Sequence, residues 1–67
     1  MIRIRLNGKE HELERTMSVR EFLERAGKVP RWMVVELRGE PLLREQYESA
    51  LIEDGDTVEI VAPFGGG

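Results

Sequence analysis

The dipeptide Asn7-Gly8, set between Ile2-Arg3-Ile4-Arg5-Leu6 and Lys9-Glu10-His11-Glu12-Leu13, constrains this chain more than any other feature. Asn-Gly supplies the two left-handed residues of the tightest hairpin loop, and the flanking alternation is that of half-buried strands. A two-residue loop dictates the register: Leu6 opposite Lys9, Arg5 opposite Glu10, Ile4 opposite His11, Arg3 opposite Glu12, Ile2 opposite Leu13. Opposite charges then pair on one face, while apolar residues and His11 gather on the other.

The hairpin leads into a helix. Ser18 as N-cap with Glu21 three residues on reads as a capping box, and Met17 with Phe22 as a hydrophobic staple. Val19, Phe22, Leu23 and Ala26 form one apolar stripe, Gly27 suits the left-handed cap, and Pro30 blocks continuation. A third strand is expected over Met33 to Leu37, a turn at Gly39, and a short edge strand over Pro41 to Leu43. Gln46 to Ser49 reads as an irregular or single-turn segment. Asp54-Gly55-Asp56 turns into a last strand, Thr57 to Ala62, with Val58, Ile60 and Ala62 on one face and Thr57, Glu59 and Val61 on the other.

At 67 residues the chain has room for one domain. Two strands precede the helix, and the last strand returns after a long excursion. That order predicts first and last strands paired in parallel at the sheet centre, because parallel neighbours need a long connection. The expected fold is α+β: a β-grasp (ubiquitin-like) roll, a mixed sheet of four or five strands with one main helix on one face. Residues 1–62 form the expected domain and 63–67 a projecting flexible tail.

The absence of cysteine removes disulfides, thiolate metal sites and thiol catalysis. A net charge of −3 with interspersed signs argues against a nucleic-acid binder. Nothing is long and apolar enough to span a membrane, and Met1 opens a strand, so the expected compartment is the cytoplasm. His11 has no partners for a triad and reads as a partly buried packing residue. Asp54 and Asp56 are explained by their turn, and "DGDT" lacks the remaining ligands of a calcium loop. Trp32 fits either a strand-end core position or an exposed contact.

What remains is Pro63-Phe64-Gly65-Gly66-Gly67. Five extended residues reach about 17 Å, enough to thread a channel and present the Gly67 carboxylate in another protein's active site. Gly65 and Gly66 carry no Cβ to obstruct such a channel, and Gly67 leaves its carbonyl open to attack. A free carboxylate is inert to acyl transfer, so a partner must activate it, most simply with ATP. Pro63 limits the ordering cost, and Phe64 offers an aromatic anchor. Arg3, Arg5 and Val61 on the outward sheet face complete the candidate partner-binding set.

The pieces "LNGK", "SVREFLERAG", "MVVEL", "REQY", "DGDTVEIV" and "GGG", in that order over almost the whole chain, resemble the ThiS/MoaD family of ubiquitin-like sulfur carriers, the thiamine-biosynthesis ThiS type above all. The resemblance implies a carrier rather than an enzyme, binding no cofactor itself. Gly67 would be adenylated by a ThiF- or MoeB-like partner using ATP and converted to a thiocarboxylate, whose sulfur passes to a ThiG-like thiazole synthase. Arg38-Gly39 stands in place of an Asn-containing turn, Tyr47 where Trp is frequent, and Ala62-Pro63 echoes the molybdopterin carriers. A MoaD-like or tRNA-thiolation carrier, and a ubiquitin-like modifier joined to lysines through Gly67, remain open alternatives because all begin with the same acyl adenylate.

Overall fold

The computed structural model describes residues 1–62. Strand β1 (Ile2–Leu6) turns through Asn7 (φ 50°) and Gly8 (φ 83°) into β2 (Lys9–Leu13), in the register that the two-residue loop demands, from Ile2 opposite Leu13 to Leu6 opposite Lys9. A two-residue strand β3 (Met17–Ser18) precedes helix α1 (Val19–Arg25). A 3₁₀ turn (Pro30–Trp32) leads to β4 (Val34–Leu37) and β5 (Glu40–Pro41). A second 3₁₀ turn (Arg44–Gln46), β6 (Leu51–Ile52) and β7 (Thr57–Val61) follow. The main sheet has the order β2-β1-β7-β4-β5, with β1 and β7 parallel at its centre and β4 antiparallel to β7. This is the β-grasp roll.

Asn7 does more than turn the hairpin. Its backbone N–H donates to the Val58 carbonyl at 2.9 Å. Its side-chain Oδ1 then accepts from Ile60 N–H at 2.8 Å, and Nδ2 donates to the Ile60 carbonyl at 3.4 Å. The amide thus behaves as one further strand residue, prolonging the β1–β7 ladder after the main chain has turned away. At the other end Arg3 N–H donates to Asp54 Oδ1 at 2.8 Å and the Arg3 carbonyl accepts from Gly55 N–H at 2.7 Å. The two strands most distant in sequence are fastened at both ends.

Helix α1 is capped as its sequence requires at the main chain: Ser18 Oγ accepts from Glu21 N–H at 3.0 Å. The other half of the expected box is replaced, because the Glu21 carboxylate bridges Arg15 and Arg25 instead. The helix ends in a Schellman motif, with Lys28 N–H on the Leu23 carbonyl and Gly27 (φ 77°) N–H on that of Glu24. Val19, Phe22 and Leu23 are buried as expected, and so are Met17, Val35 and Val58 across from them. Ala26 is exposed, since the helix stops at Arg25 before its stripe completes a third contact.

The remaining differences have local causes. β5 begins at Glu40 and covers less than the expected Pro41–Leu43, because Arg38 (φ 55°) and Gly39 (φ 82°) make a two-residue turn that starts pairing at once. A left-handed arginine is unfavourable by about 1–2 kcal/mol. Its side chain is held there by an ion pair from Nη1 to the buried Asp56 carboxylate at 2.6 Å. Asp56 Oδ2 also accepts from Glu53 N–H at 2.8 Å, which closes the turn into β7. The pairing of β3 with β6 was not legible in the sequence, nor was the burial of Tyr47, whose hydroxyl donates to the Met33 carbonyl at 2.8 Å.

His11 is a correction. It lies on the core side of β2, yet it is exposed. β2 is the sheet edge and no described residue covers its far side, so His11 has Ile4 beside it in β1 and a T-shaped contact with the Phe22 ring, at 6.0 Å between centroids and 78° between planes.

Candidate functional site

The candidate site is the helix-free face of the sheet and the point where β7 leaves it. Alternation sends Val58 and Ile60 to the core and Thr57, Glu59 and Val61 outward. The register then assembles an outward surface from strands far apart in sequence. Arg5 lies beside Glu10 on one side and Thr57 on the other, Glu36 opposite Glu59, and Val34 opposite Val61. The face thus changes character along β7, from basic and mixed near its start, through an acidic pair, to an apolar pair beside the chain's exit at Ala62.

Each of the sequence-selected residues on this face is where the alternation put it. Arg3 and Arg5 are exposed, and Val61 is 58% exposed. Arg3 Nε sits 3.4 Å from the Glu12 carboxylate, with both side chains more than half exposed, so that pair contributes little to stability. Arg5 is exposed and enters no ion pair within 4 Å among the described residues. Pro63, Phe64, Gly65, Gly66 and Gly67 lie outside the described residues.

Three residues of this surface were missed by sequence reasoning. Val34 is 42% exposed and forms the apolar pair with Val61. Leu43 is 60% exposed and follows Leu42, whose N–H donates to the Val35 carbonyl and whose side chain packs on the core. Leu43 therefore extends the outward side of the sheet past Val34. Glu36 places a second carboxylate directly opposite Glu59, and neither has an ion-pair partner among the described residues. Like charges directly opposite on a sheet are destabilising. Assigning β4 as the neighbour of β7 would have exposed Val34 and Glu36, and Leu43 follows from the chain pairing on along β4 past β5, but strand adjacency is a tertiary fact. Trp32, left open by its sequence, is 53% exposed beneath the Arg31 guanidinium, 5.3 Å from its ring centre.

Two further ion pairs have structural uses. Arg15 hydrogen-bonds Glu21 and holds its carboxyl below the ordinary value of 4.5. The hydrogen bond that Arg38 donates to the Asp56 carboxylate raises the Arg38 pKa. No helix among the described residues is long and apolar enough to cross a membrane.

Comparison with known proteins agrees with this architecture. A search of curated proteins returns no significant match. The crystal structure of a thiamine biosynthesis protein (ThiS) from Geobacter metallireducens superposes with a TM-score of 0.85 at 32% identity, covering 98% of this chain and 100% of that one. The solution structure of a thiamine biosynthesis protein from the same organism gives 0.83 at 32% identity, over 98% and 88% of the two chains. The model of the ThiS family matches residues 4–67, which includes both the sheet and the terminal glycines, and the chain belongs to that family.

Proposed function

We propose that this chain is a sulfur carrier of thiamine biosynthesis whose Gly67 carboxylate is the working group. The observation that carries the reading is positional. The central strand β7 leaves the sheet beside the exposed Val34–Val61 pair, and the sequence beyond it ends within five residues in three glycines. A docked partner can therefore grip a rigid face while the terminal residues enter its active site. Membership of the ThiS family supports the same assignment.

The chemistry follows from the inertness of a carboxylate. In the active site of a ThiF- or MoeB-like partner, a Gly67 oxygen attacks the α-phosphorus of ATP, and the bond to pyrophosphate breaks. Sulfide from the donor, as HS⁻, then attacks the acyl carbon of the adenylate, AMP leaves with the C–O electron pair, and the S–H proton is lost to solvent. The product is a thiocarboxylate, and a ThiG-like thiazole synthase is the acceptor of its sulfur. The chain supplies no acid, base or metal to these steps, so it is a co-substrate. Gly65 and Gly66 make the entering segment narrow, Pro63 limits its freedom, and Phe64 anchors it. Val34, Val61 and Leu43 give the partner an apolar contact, and Glu36 with Glu59 asks for a cation on the partner's surface.

The test is intact mass after incubation with ATP, a sulfur donor and a ThiF-like adenylating enzyme. A gain equal to one oxygen replaced by one sulfur is expected, and none in a variant lacking Gly66 and Gly67. Equal gain in the truncated variant overturns the assignment to Gly67. Accumulation of lysine conjugates in place of the thiocarboxylate would identify a protein modifier instead.

A further inference from the structure

The outer edge of β2 faces away from everything described above. Arg3 and Arg5 direct their backbone groups toward β7 and the Asp54–Asp56 turn, as their bonds to Asp54, Gly55 and Asp56 show. The even residues of β1 therefore exchange bonds with Lys9, His11 and Leu13, and the N–H and C=O groups of Glu10 and Glu12 point outward. Nothing among the described residues pairs with them. Beside this edge runs a groove of about 360 Å³ between β2 and α1, lined by the apolar Leu13, Met17, Phe22 and Ala26 and by His11, with Glu12 and the Arg25–Glu14 ion pair also on its border. The backbone edge and the apolar groove are parallel features of one surface, on the side of the molecule away from the tail's exit strand.

We infer that β2 and this groove bind an extended protein segment of alternating apolar and basic residues, which adds to the sheet as a sixth strand. The occupant's pattern comes from the side chains already there. Residues of an added strand that lie beside Glu10 and Glu12 share their face, and these two exposed glutamates, of which only Glu12 has a cation nearby (Arg3, 3.4 Å), favour basic side chains. Residues beside His11 and Leu13 point into the groove and must be apolar to cover Phe22 and Ala26. β1, on the other side of β2, already carries this pattern: Ile2 and Ile4 oppose Leu13 and His11, and Arg3 and Arg5 oppose Glu12 and Glu10. The free edge asks for a second strand of the same kind. It disfavours a second copy of β2 itself, because antiparallel pairing about His11 would set Glu10 against Glu12 twice. His11, exposed and in T-shaped contact with Phe22, is the residue that such a strand would cover.

The experiment titrates the isotopically labelled full chain with two capped peptides, one containing Ile-Arg-Ile-Arg-Leu and the other Ile-Glu-Ile-Glu-Leu. The first is expected to give saturable amide shifts at Glu10, Glu12, Phe22 and Ala26, with a Kd below about 1 mM. The acidic peptide should bind at least about tenfold more weakly. Ala26→Lys, at an exposed helix end, should weaken the basic peptide at least about fivefold while leaving the melting temperature unchanged. Four results each overturn the inference: no saturable shift, equal response to both peptides, shifts confined to the Arg5–Val61 face, or indifference to Ala26→Lys. Shifts at Glu10 and Glu12 that depend on protein concentration without peptide would overturn it in favour of self-association.

Discussion

Glu59→Lys converts the Glu36–Glu59 pair on the helix-free face from repulsive to attractive. The two residues are directly opposite across β4 and β7, and both are exposed. Loss of a like-charge cross-strand contact and gain of an opposite one are each worth about 0.2–1 kcal/mol, with exposed pairs at the lower end. The sum is about 0.5–1 kcal/mol of added stability, or about 3–6 °C in melting temperature for a domain this small. Thermal unfolding at low ionic strength measures it directly. In 1 M salt the Debye length falls to about 3 Å, and most of the gain should vanish. The same variant should be thiocarboxylated about five- to tenfold more slowly by the adenylating partner, because it presents a cation where a cation is wanted. Glu36→Gln serves as a control that removes repulsion without adding positive charge. A more stable but slower carrier is the signature of charge kept for recognition. A lower melting temperature at low salt would refute the electrostatic account, and an unchanged thiocarboxylation rate would refute the assignment of this face to the partner.

Asn7→Gly preserves the left-handed turn but removes both bonds to Ile60, so urea unfolding should show a loss of about 1–2 kcal/mol; a neutral result would reduce Asn7 to a turn residue. Tyr47→Phe leaves the buried Met33 carbonyl without its partner and should cost about 1–3 kcal/mol by the same measurement. For Glu21 the sign is set by its lowered pKa, caused first by the Arg15 hydrogen bond. Its contribution is complete above the ordinary carboxylate value and is lost as pH falls through the folded value, below 4.5. Melting curves of Glu21→Gln should therefore converge with those of the parent at acid pH and fall below them at neutral pH. Arg5→Gln should reduce the association rate with the partner and its salt dependence while leaving the melting temperature within about 1 °C, measured by stopped-flow binding.

Much of this architecture was readable because a few residues carry unambiguous local chemistry. Asn7-Gly8 has one favoured turn, that turn has one register, and the register placed Arg3, Arg5, Glu10 and Glu12 without reference to anything else. Ser18, Gly27 and Pro30 bounded the helix in the same way. The misses share a cause. Strands β3 and β6 are two residues each, too short for alternation to show. Glu21 turned to Arg15 because a side chain from a preceding loop competes with its own helix terminus, and such competition is settled in three dimensions. His11 alternates correctly toward the core side, but alternation says which face a residue takes and not whether that face is covered at an edge. Val34, Leu43 and Glu36 entered the candidate site only when β4 became the neighbour of β7.

The placement of β7 has a mechanical consequence for a carrier. A chain end drawn into a partner's active site pulls on the strand that precedes it. Were that strand at an edge, its hydrogen bonds on one side alone would resist, and an edge strand can peel. Here β7 is held by β4 on one side and by β1 on the other. The parallel pairing with β1 loads its bonds in shear, so several must break together. Asn7 adds two more at Ile60, one residue before Val61 and close to where tension enters. Arg3 with Asp54 and Gly55, and Arg38 with Asp56, fasten the far end of the same strand and the turn behind it. The polar side chains spent on β7 are thus concentrated at its two ends, where a pulled strand would begin to yield. The Asn7→Gly variant isolates this role: it should lower the force at which the domain unfolds when pulled from Gly67 by a larger fraction than it lowers equilibrium stability.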